Sequence, residues 1–526
     1  MMRTVGERLV EGLKARGVTV VFGIPGVHTV ELYRGLSGSG VRHVTARQEQ
    51  GGAFMADGYA RVSGKPGVAF VISGPGITNV LTAMAQSRAD SVPILVISGV
   101  NRRDSLGKGL GLLHELPDQA AMVRSLCPTR QISGPAEVGP ALDWAFALLL
   151  SGRPGPVHLE VPTDVMPLPC PALPAPAPRP AQPVPQPGDL AAAAARLNSA
   201  RRVVILAGGG CRGQDTALRA LAERLDAPVI QTVNARGLLH GHPLCVPASP
   251  SLRAVRAALV SADQVLSIGS EFGPTEFDMY DIGDFPALTQ QIRIDIDAAQ
   301  LDRHPAAVPL RGDAGATMAA LLPLLSAHKL DGATRAAAIT ANARIEVAEF
   351  SPAYPAMLTM VETIRTALPR AILVGDSTQP VYAANLCYSH DRPSGYFNAA
   401  TGFGALGFAP GAAVGAALAA PGTKVVCLIG DGGLQFSPGE LRTAVDERLP
   451  ITFLVWNNAA FAEIADAMRA ANTEVIGCHP SPLRLEPFAA ACDLPFTSVP
   501  QDPEVLHWAL TQPNDGPRLI EIRVGK

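Results

Sequence analysis

The sequence predicts an α/β protein of three domains, each a parallel sheet flanked by helices, and three observations carry this. Apolar, β-branched runs of the kind buried on both faces alternate with helical stripes along the chain, as parallel sheets require. The 526 residues exceed what one hydrophobic core supports, so several compact units are expected. Proline recurs at nearly every second or third position over 166–188, which forbids helix and ladder pairing and reads as an extended linker. The expected units are 1–165, the linker 166–188, a central Rossmann-like domain over 189–330, and a third α/β unit over 345–526.

Thr4 and Glu7 have the spacing of a capping box, and Val5, Leu9, Val10 and Leu13 form an apolar stripe that stops at Gly17. Residues 18–22 read as a strand ending in Gly23-Ile24-Pro25-Gly26, with a helical stretch after it. Further buried strands are expected at 67–73 and 93–98. Beyond the linker, 202–207 is a strand, 208–213 a glycine-rich turn and 215–225 a helix. That turn has the form GxGxxG, but the strand over 228–233 ends at Asn234 with no acidic residue for a ribose hydroxyl. A tight strand-to-helix turn is the preferred reading, with a nucleotide site left open. The alanine-rich segment 331–347 leads into the third unit, with strands at 371–374, 424–429 and 451–456.

Composition narrows the function. The chain is 47% hydrophobic and 17% charged, and its uninterrupted apolar runs fall short of the roughly 20 residues a membrane helix needs. A formal charge of −3 offers no electrostatic footprint for nucleic acid or an acidic membrane, so a small-molecule ligand is expected. The eight cysteines form no CxxC pair, which argues for free thiols over a disulfide framework or a zinc site. No positive flank and apolar h-region mark a secretory signal at the N-terminus, and a cytoplasmic location is expected.

The chemistry concentrates in the third unit. The strand at 424–429 runs into Gly430-Asp431-Gly432-Gly433, and the strand at 451–456, one helix later (near 438–447), ends in Asn457-Asn458. Parallel neighbouring strands bind ligands at their carboxyl ends. Asp431 offers a carboxylate, Asn458 a side-chain carbonyl and Ala460 a main-chain carbonyl, while Gly432 and Gly433 let backbone N–H groups approach an anion. Hard oxygen ligands beside a phosphate suit Mg2+.

This arrangement resembles the thiamine-diphosphate motif of the pyruvate decarboxylase and acetolactate synthase superfamily. A second stretch, Thr45 through Glu49 to Arg61, is similar to the family's glutamate motif. The resemblance covers nearly the whole chain and implies a thiamine-diphosphate-binding fold with an N-terminal pyrimidine-binding domain, a central domain and a C-terminal diphosphate- and magnesium-binding domain. It implies that Glu49 shares a proton with pyrimidine N1′, which makes the cofactor's own 4′-imino group the base. By the same likeness Gly404 accepts from the 4′-amino group, Leu406 bends the cofactor, Pro25 and Gly26 contact it, and Thr378 and Gln379 are secondary candidates for the diphosphate. It also implies a homodimer or homotetramer with active sites at the subunit interface, because Glu49 and Asp431 lie in different domains.

The reaction is expected to be non-oxidative decarboxylation of a 2-oxo acid. Residues 22–33, 113–117, 269–271 and 375–382 resemble the 5-guanidino-2-oxopentanoate decarboxylases. The chain departs from relatives at Gln48, commonly a histidine, and at Ala459-Ala460-Phe461-Ala462, commonly glycine-rich and aromatic, so Gln48 and Phe461 are candidate substrate contacts. It carries Val27 and His114-Glu115 where pyruvate-decarboxylase-type enzymes use an acid and adjacent histidines. His114 is a candidate to protonate the carbon that carbon dioxide has left, or else a structural histidine. A guanidinium tail wants a carboxylate, and Glu463 or Glu115 could supply it or could be a solvated acid. The alternatives are an acetolactate-synthase-like carboligase or C–C lyase, a flavin-dependent oxidase, and a non-catalytic binding protein on the same fold.

Overall fold

The computed structural model describes residues 2–277 and 285–525. Three six-stranded sheets, parallel throughout, account for its strands. The first contains β1 Val20–Gly23, β2 Arg42–Thr45, β3 Gly67–Val71, β4 Ile94–Val100, β5 Thr129–Gln131 and β6 Pro156–Pro162, in the order β2-β1-β3-β4-β6-β5. The second contains β7 Val203–Ala207, β8 Val229–Gln231, β9 Cys245–Val246, β10 Gln264–Ile268, β11 Ile292–Asp295 and β12 Val308–Arg311, in the order β12-β11-β10-β7-β8-β9. The third contains β13 Ile372–Gly375, β14 Tyr396–Asn398, β15 Val425–Gly430, β16 Ile451–Asn457, β17 Phe496–Pro500 and β18 Arg518–Arg523, in the order β14-β13-β15-β16-β18-β17.

In each sheet the connections from two neighbouring strands leave in opposite directions, and this reversal opens a crevice at their carboxyl ends. In the first sheet this point lies between β1 and β3, in the second between β7 and β10, and in the third between β13 and β15. Central strands such as β3 and β7 are buried along their whole length, which explains their unbroken apolar sequence. Thr4 and Glu7 cap the Val5–Ala15 helix reciprocally, as their spacing predicts.

The first and third sheets are joined within the chain by two helices, Glu49–Ser63 and Phe408–Ala419. They approach so closely that a Cβ on Gly58 would lie 2.0 Å from the Ala412 carbonyl oxygen, and one on Gly415 would lie 1.9 Å from that of Met55. A buried ion network locks the junction. Arg61 donates to Asp57 at 2.6 Å and Asp90 at 2.7 Å, and its guanidinium lies over the rings of Phe397 and Phe408. Both carboxylates are fully enclosed, so removing the arginine would strand two buried charges.

Candidate active site

The residues singled out in the sequence gather at two of the three crevices. At the first, the Glu49–Ser63 helix follows β2 directly, so Glu49 stands at its first turn, where the helix dipole favours an acid. Its carboxylate accepts from Asn79 Nδ2 at 2.9 Å. Pro25, Gly26 and His28 follow β1, Ser73 follows β3, and His114 follows β4, so four adjacent strands deliver one cluster. Gln48 begins the helix with its N–H directed to Glu440 of the third unit at 3.2 Å. Glu440 also accepts from Arg47 N at 3.1 Å and from Thr443, and burial pushes its carboxyl up. This brace was not visible in the sequence, where Glu440 is one acid on an amphipathic helix.

At the third crevice, Thr378 follows β13 and Asp431 follows β15. A Cβ on Gly430 would lie 3.1 Å from Thr378 Oγ1, so the two loops are in near contact. Asp431 is 4% exposed and its carboxyl is pushed up by burial. The two asparagines after β16 divide their work. Asn457 donates to Glu521 at 2.6 Å and is consumed in holding the strand end. Asn458 donates to Gln379 Oε1 at 3.2 Å and accepts from Ala460 N at 3.1 Å, which folds the loop toward Asp431. One buried carboxylate, an amide oxygen and a loop carbonyl, flanked by Gly432 and Gly433 at a helix start, fit a hard divalent cation bound together with phosphate oxygens. Among the described residues no group of three or more His, Cys, Asp or Glu side chains could hold a metal. The Phe461 ring, in the loop after β16, packs against Gly432 in the short helix after β15.

Asp376, fully buried after β13, accepts from Ser377, Gly407 and Ala409 at 3.0, 3.2 and 2.9 Å. Burial lifts its carboxyl to about 6, the backbone donors pulling the other way. It ties the Gly404–Gly407 turn, and with it Leu406, to the crevice. Gly404 has φ +76, and among the described residues no donor is paired with its carbonyl oxygen. Ala405 N donates to Gln86 at 3.2 Å. Gln86 lies seven residues beyond Asn79 on the Pro75–Ala89 helix, about 10 Å along its axis.

The two acids proposed for a guanidinium tail part company. Glu115 accepts from Leu110 N at 3.1 Å and Leu112 N at 2.9 Å, and these backbone donors hold its carboxyl below the usual range. It staples its own loop through these two backbone donors. Glu463, on the Ala462–Ala470 helix, is half-buried and its carboxyl is pushed up by burial. Its partners are neutral: Gln379 and the Tyr354 hydroxyl, which donates at 3.4 Å. Among the described residues no arginine or lysine forms an ion pair with it.

The crevice of the second sheet differs. A Cβ on Gly208 would lie 2.3 Å from the Gly269 carbonyl oxygen, so these glycines serve the interlocking of two loops. A cavity of about 580 Å³ lies beside it, away from both clusters, with Arg61 and Arg153 on its wall. Arg61 is held by its aspartates and Arg153 pairs with Glu271.

Fold and site together define a thiamine-diphosphate enzyme. The chain matches the thiamine pyrophosphate enzyme family in three parts, the N-terminal TPP binding domain over 3–122, the central domain over 190–321 and the C-terminal TPP binding domain over 376–522, and it belongs to that family. It is 44% identical over 485 residues to the "Probable 2-ketoarginine decarboxylase AruI" of Pseudomonas aeruginosa, covering 91% of this chain and 86% of that one. It is 29% identical to acetolactate synthase isozyme 1 large subunit of Escherichia coli, covering 99% and 94%. An X-ray structure of a "putative thiamin diphosphate-dependent enzyme" from Mycobacterium smegmatis superposes with a TM-score of 0.82 at 23% identity, covering 99% of each chain, and shows the same fold.

Proposed function

We propose that this protein is a thiamine-diphosphate- and magnesium-dependent decarboxylase whose substrate is 5-guanidino-2-oxopentanoate, the 2-oxo acid of arginine. The observation that carries the substrate is Glu463: a half-buried carboxylate with only neutral partners, one loop from Asn458, is suited to an incoming cation. The 2-ketoarginine decarboxylase relative supports the same reading.

Bound thiamine diphosphate supplies a carbon nucleophile and an electron sink for the departing carbon dioxide. Glu49 would hold the proton at N1′, and Gly404 would accept from the 4′-amino group. Leu406 would pack between the cofactor's rings, and Pro25 and Gly26 would line the pyrimidine side. Asp431, Asn458 and Ala460 would hold Mg2+, with Gly430, Gly432, Gly433, Thr378 and Gln379 around the diphosphate. His114 would supply the proton that replaces carbon dioxide, and Gln48 and Phe461 would shape the substrate pocket.

The active form is a homodimer or a dimer of dimers. Within one chain the Gly404 turn bonds the Pro75–Ala89 helix two turns beyond the residue that holds Glu49, whereas N1′ and the 4′-amino group share one ring. Exposed apolar residues flank both clusters, Val27 and Leu113 at one and Phe403 and Phe436 at the other, which suits a face covered by a second copy. No described helix is long and apolar enough to cross a membrane. Eight free cysteines suit a reducing, cytoplasmic setting. The test is a screen of 2-oxo acids for carbon dioxide release by the enzyme loaded with cofactor and magnesium. A several-fold or greater preference for 5-guanidino-2-oxopentanoate over pyruvate and branched 2-oxo acids is expected. Formation of 2-acetolactate from pyruvate as the main activity would favour the carboligase reading instead.

A further inference from the structure

The sequence singles out His114 but gives no reason to connect it with His28. The fold supplies one. His28 follows β1 and His114 follows β4, and β3 lies between these strands. Their rings meet edge to face with centroids 5.2 Å apart and planes at 77°. His28 Nδ1 is hydrogen-bonded to Ser73 Oγ, a fully buried hydroxyl at the end of β3, in the crevice where the first sheet reverses its winding. Among the described residues, His114 Nδ1 is buried without a hydrogen-bond partner.

The loop carrying His114 is built to keep it there. His114 has φ +59, a left-handed conformation that bulky side chains rarely adopt and that needs support from its surroundings. Gly74 lies directly behind it: a Cβ at that position would sit 2.8 Å from both the Cβ and the carbonyl oxygen of His114. Asn101 donates to the preceding carbonyl, Leu113, at 3.0 Å, and Glu115 gathers the N–H groups of Leu110 and Leu112. A Cβ on Gly99 would meet the His28 carbonyl oxygen at 2.7 Å, so that residue too is closely backed.

We propose that His28 is a positioning residue for His114: held by Ser73, its ring packs edge to face against the His114 imidazole and fixes the orientation in which that imidazole gives its proton. The proposal rests on the decarboxylase reading for its purpose, though not for its geometry. His28 is pushed toward the neutral form by burial and by the charge of His114. The other groups facing the pair leave this intact. Glu31, on the Val30–Leu36 helix, is paired with Arg34. Glu115 is spent on its own loop. Beneath Gly99, Gln119 donates to the Gly99 carbonyl, to Ser98 and to Glu160, whose carboxyl burial pushes up, while burial holds His158 near 3 and neutral. The net proton movement is a transfer from imidazolium nitrogen to substrate carbon, with the imidazole reprotonated from solvent.

The test is a histidine-ring nitrogen NMR titration of the cofactor-free protein and its His28→Gln, His114→Gln and Ser73→Ala variants, followed by kcat against pH for the loaded enzymes. In His114→Gln the His28 titration should move up by about 0.5–1 pH unit, the size expected for removing a cation about 5 Å away in a partly solvated site. Ser73→Ala, the mildest change, should alter the His28 tautomer signature while its thermal unfolding stays near that of the parent. The acid limb of kcat should shift in His28→Gln relative to the parent enzyme. Independent titration of the two rings overturns the pairing whatever the substrate proves to be. Coupled titration with an unmoved kcat profile overturns the positioning role. Absence of carbon dioxide release from every 2-oxo acid by the parent enzyme contradicts the functional reading, and the NMR result still decides the pairing.

Discussion

Replacing Glu463 by glutamine changes one charge and almost no volume, and it tests the substrate assignment directly. In the protein Glu463 faces Gln379 and the Tyr354 hydroxyl with burial pushing its carboxyl up, so it is a charge kept without a cation. A hydrogen bond to a charged partner contributes about 1.5–3 kcal/mol net. At about 1.4 kcal/mol per factor of ten, Glu463→Gln should lower kcat/KM for 5-guanidino-2-oxopentanoate roughly 10- to 150-fold. A 2-oxo acid with an unbranched apolar tail, such as 2-oxohexanoate, has no cation to lose and should be used as well or better. The assay is aldehyde formation coupled to an NAD-linked dehydrogenase, run on both substrates. The elevated carboxyl adds a pH signature. As pH falls through its raised value the carboxylate takes a proton, so kcat/KM for the guanidino acid should fall at higher pH than for 2-oxohexanoate, and the variant should lack that difference. Equal losses on both substrates, or no loss on either, would refute the role of Glu463.

Asp431→Ala should abolish magnesium-dependent binding of thiamine diphosphate, read by isothermal titration, while circular dichroism stays that of a folded protein. Asp376→Asn should leave at least one N–H of the Gly407–Ala409 turn unpaired and lower urea stability by about 1–3 kcal/mol. Because burial raises the Asp376 carboxyl to about 6, the folded state holds its proton more tightly than the unfolded one. Its contribution is therefore present at acid pH and declines as pH rises from about 4 to about 6, and the variant should lose that slope. Dilution should inactivate the enzyme in step with loss of the dimer, seen by analytical ultracentrifugation; a fully active monomer would contradict a shared site.

Strands buried on both faces, such as β3 and β15, announced themselves because their sequences are apolar without alternation. Short strands such as β9, two residues long, and β14, three residues long, did not, since so few residues carry no period. The cofactor motifs were legible because GDG, the paired asparagines and the Glu49 segment must keep fixed spacing along the chain. Residues whose meaning comes only from folding stayed hidden. His28 is an ordinary loop histidine until β1 and β4 carry it to His114, and Asp376 becomes a cap only when the Gly404–Gly407 turn folds over it. Glu115 and Glu463 were equivalent as sequence, and backbone donors separated them. The glycines of the 208–213 turn fit a nucleotide motif on paper, and in three dimensions they make room for Gly269.

The central claim is that Glu49 activates thiamine diphosphate held by a separate cluster around Asp431. Exchange of the thiazolium C2 proton with deuterium, measured by rapid quench and NMR on cofactor bound to Glu49→Gln, tests it most directly. Calorimetry should show that this variant still binds thiamine diphosphate and magnesium, because the diphosphate cluster is untouched. C2 exchange and carbon dioxide release should fall together by about 10²- to 10⁴-fold, the range of general acid–base catalysis. Exchange as fast as in the parent enzyme, with the cofactor fully bound, would show that Glu49 is a structural carboxylate held by Asn79 and would contradict the account at its first chemical step.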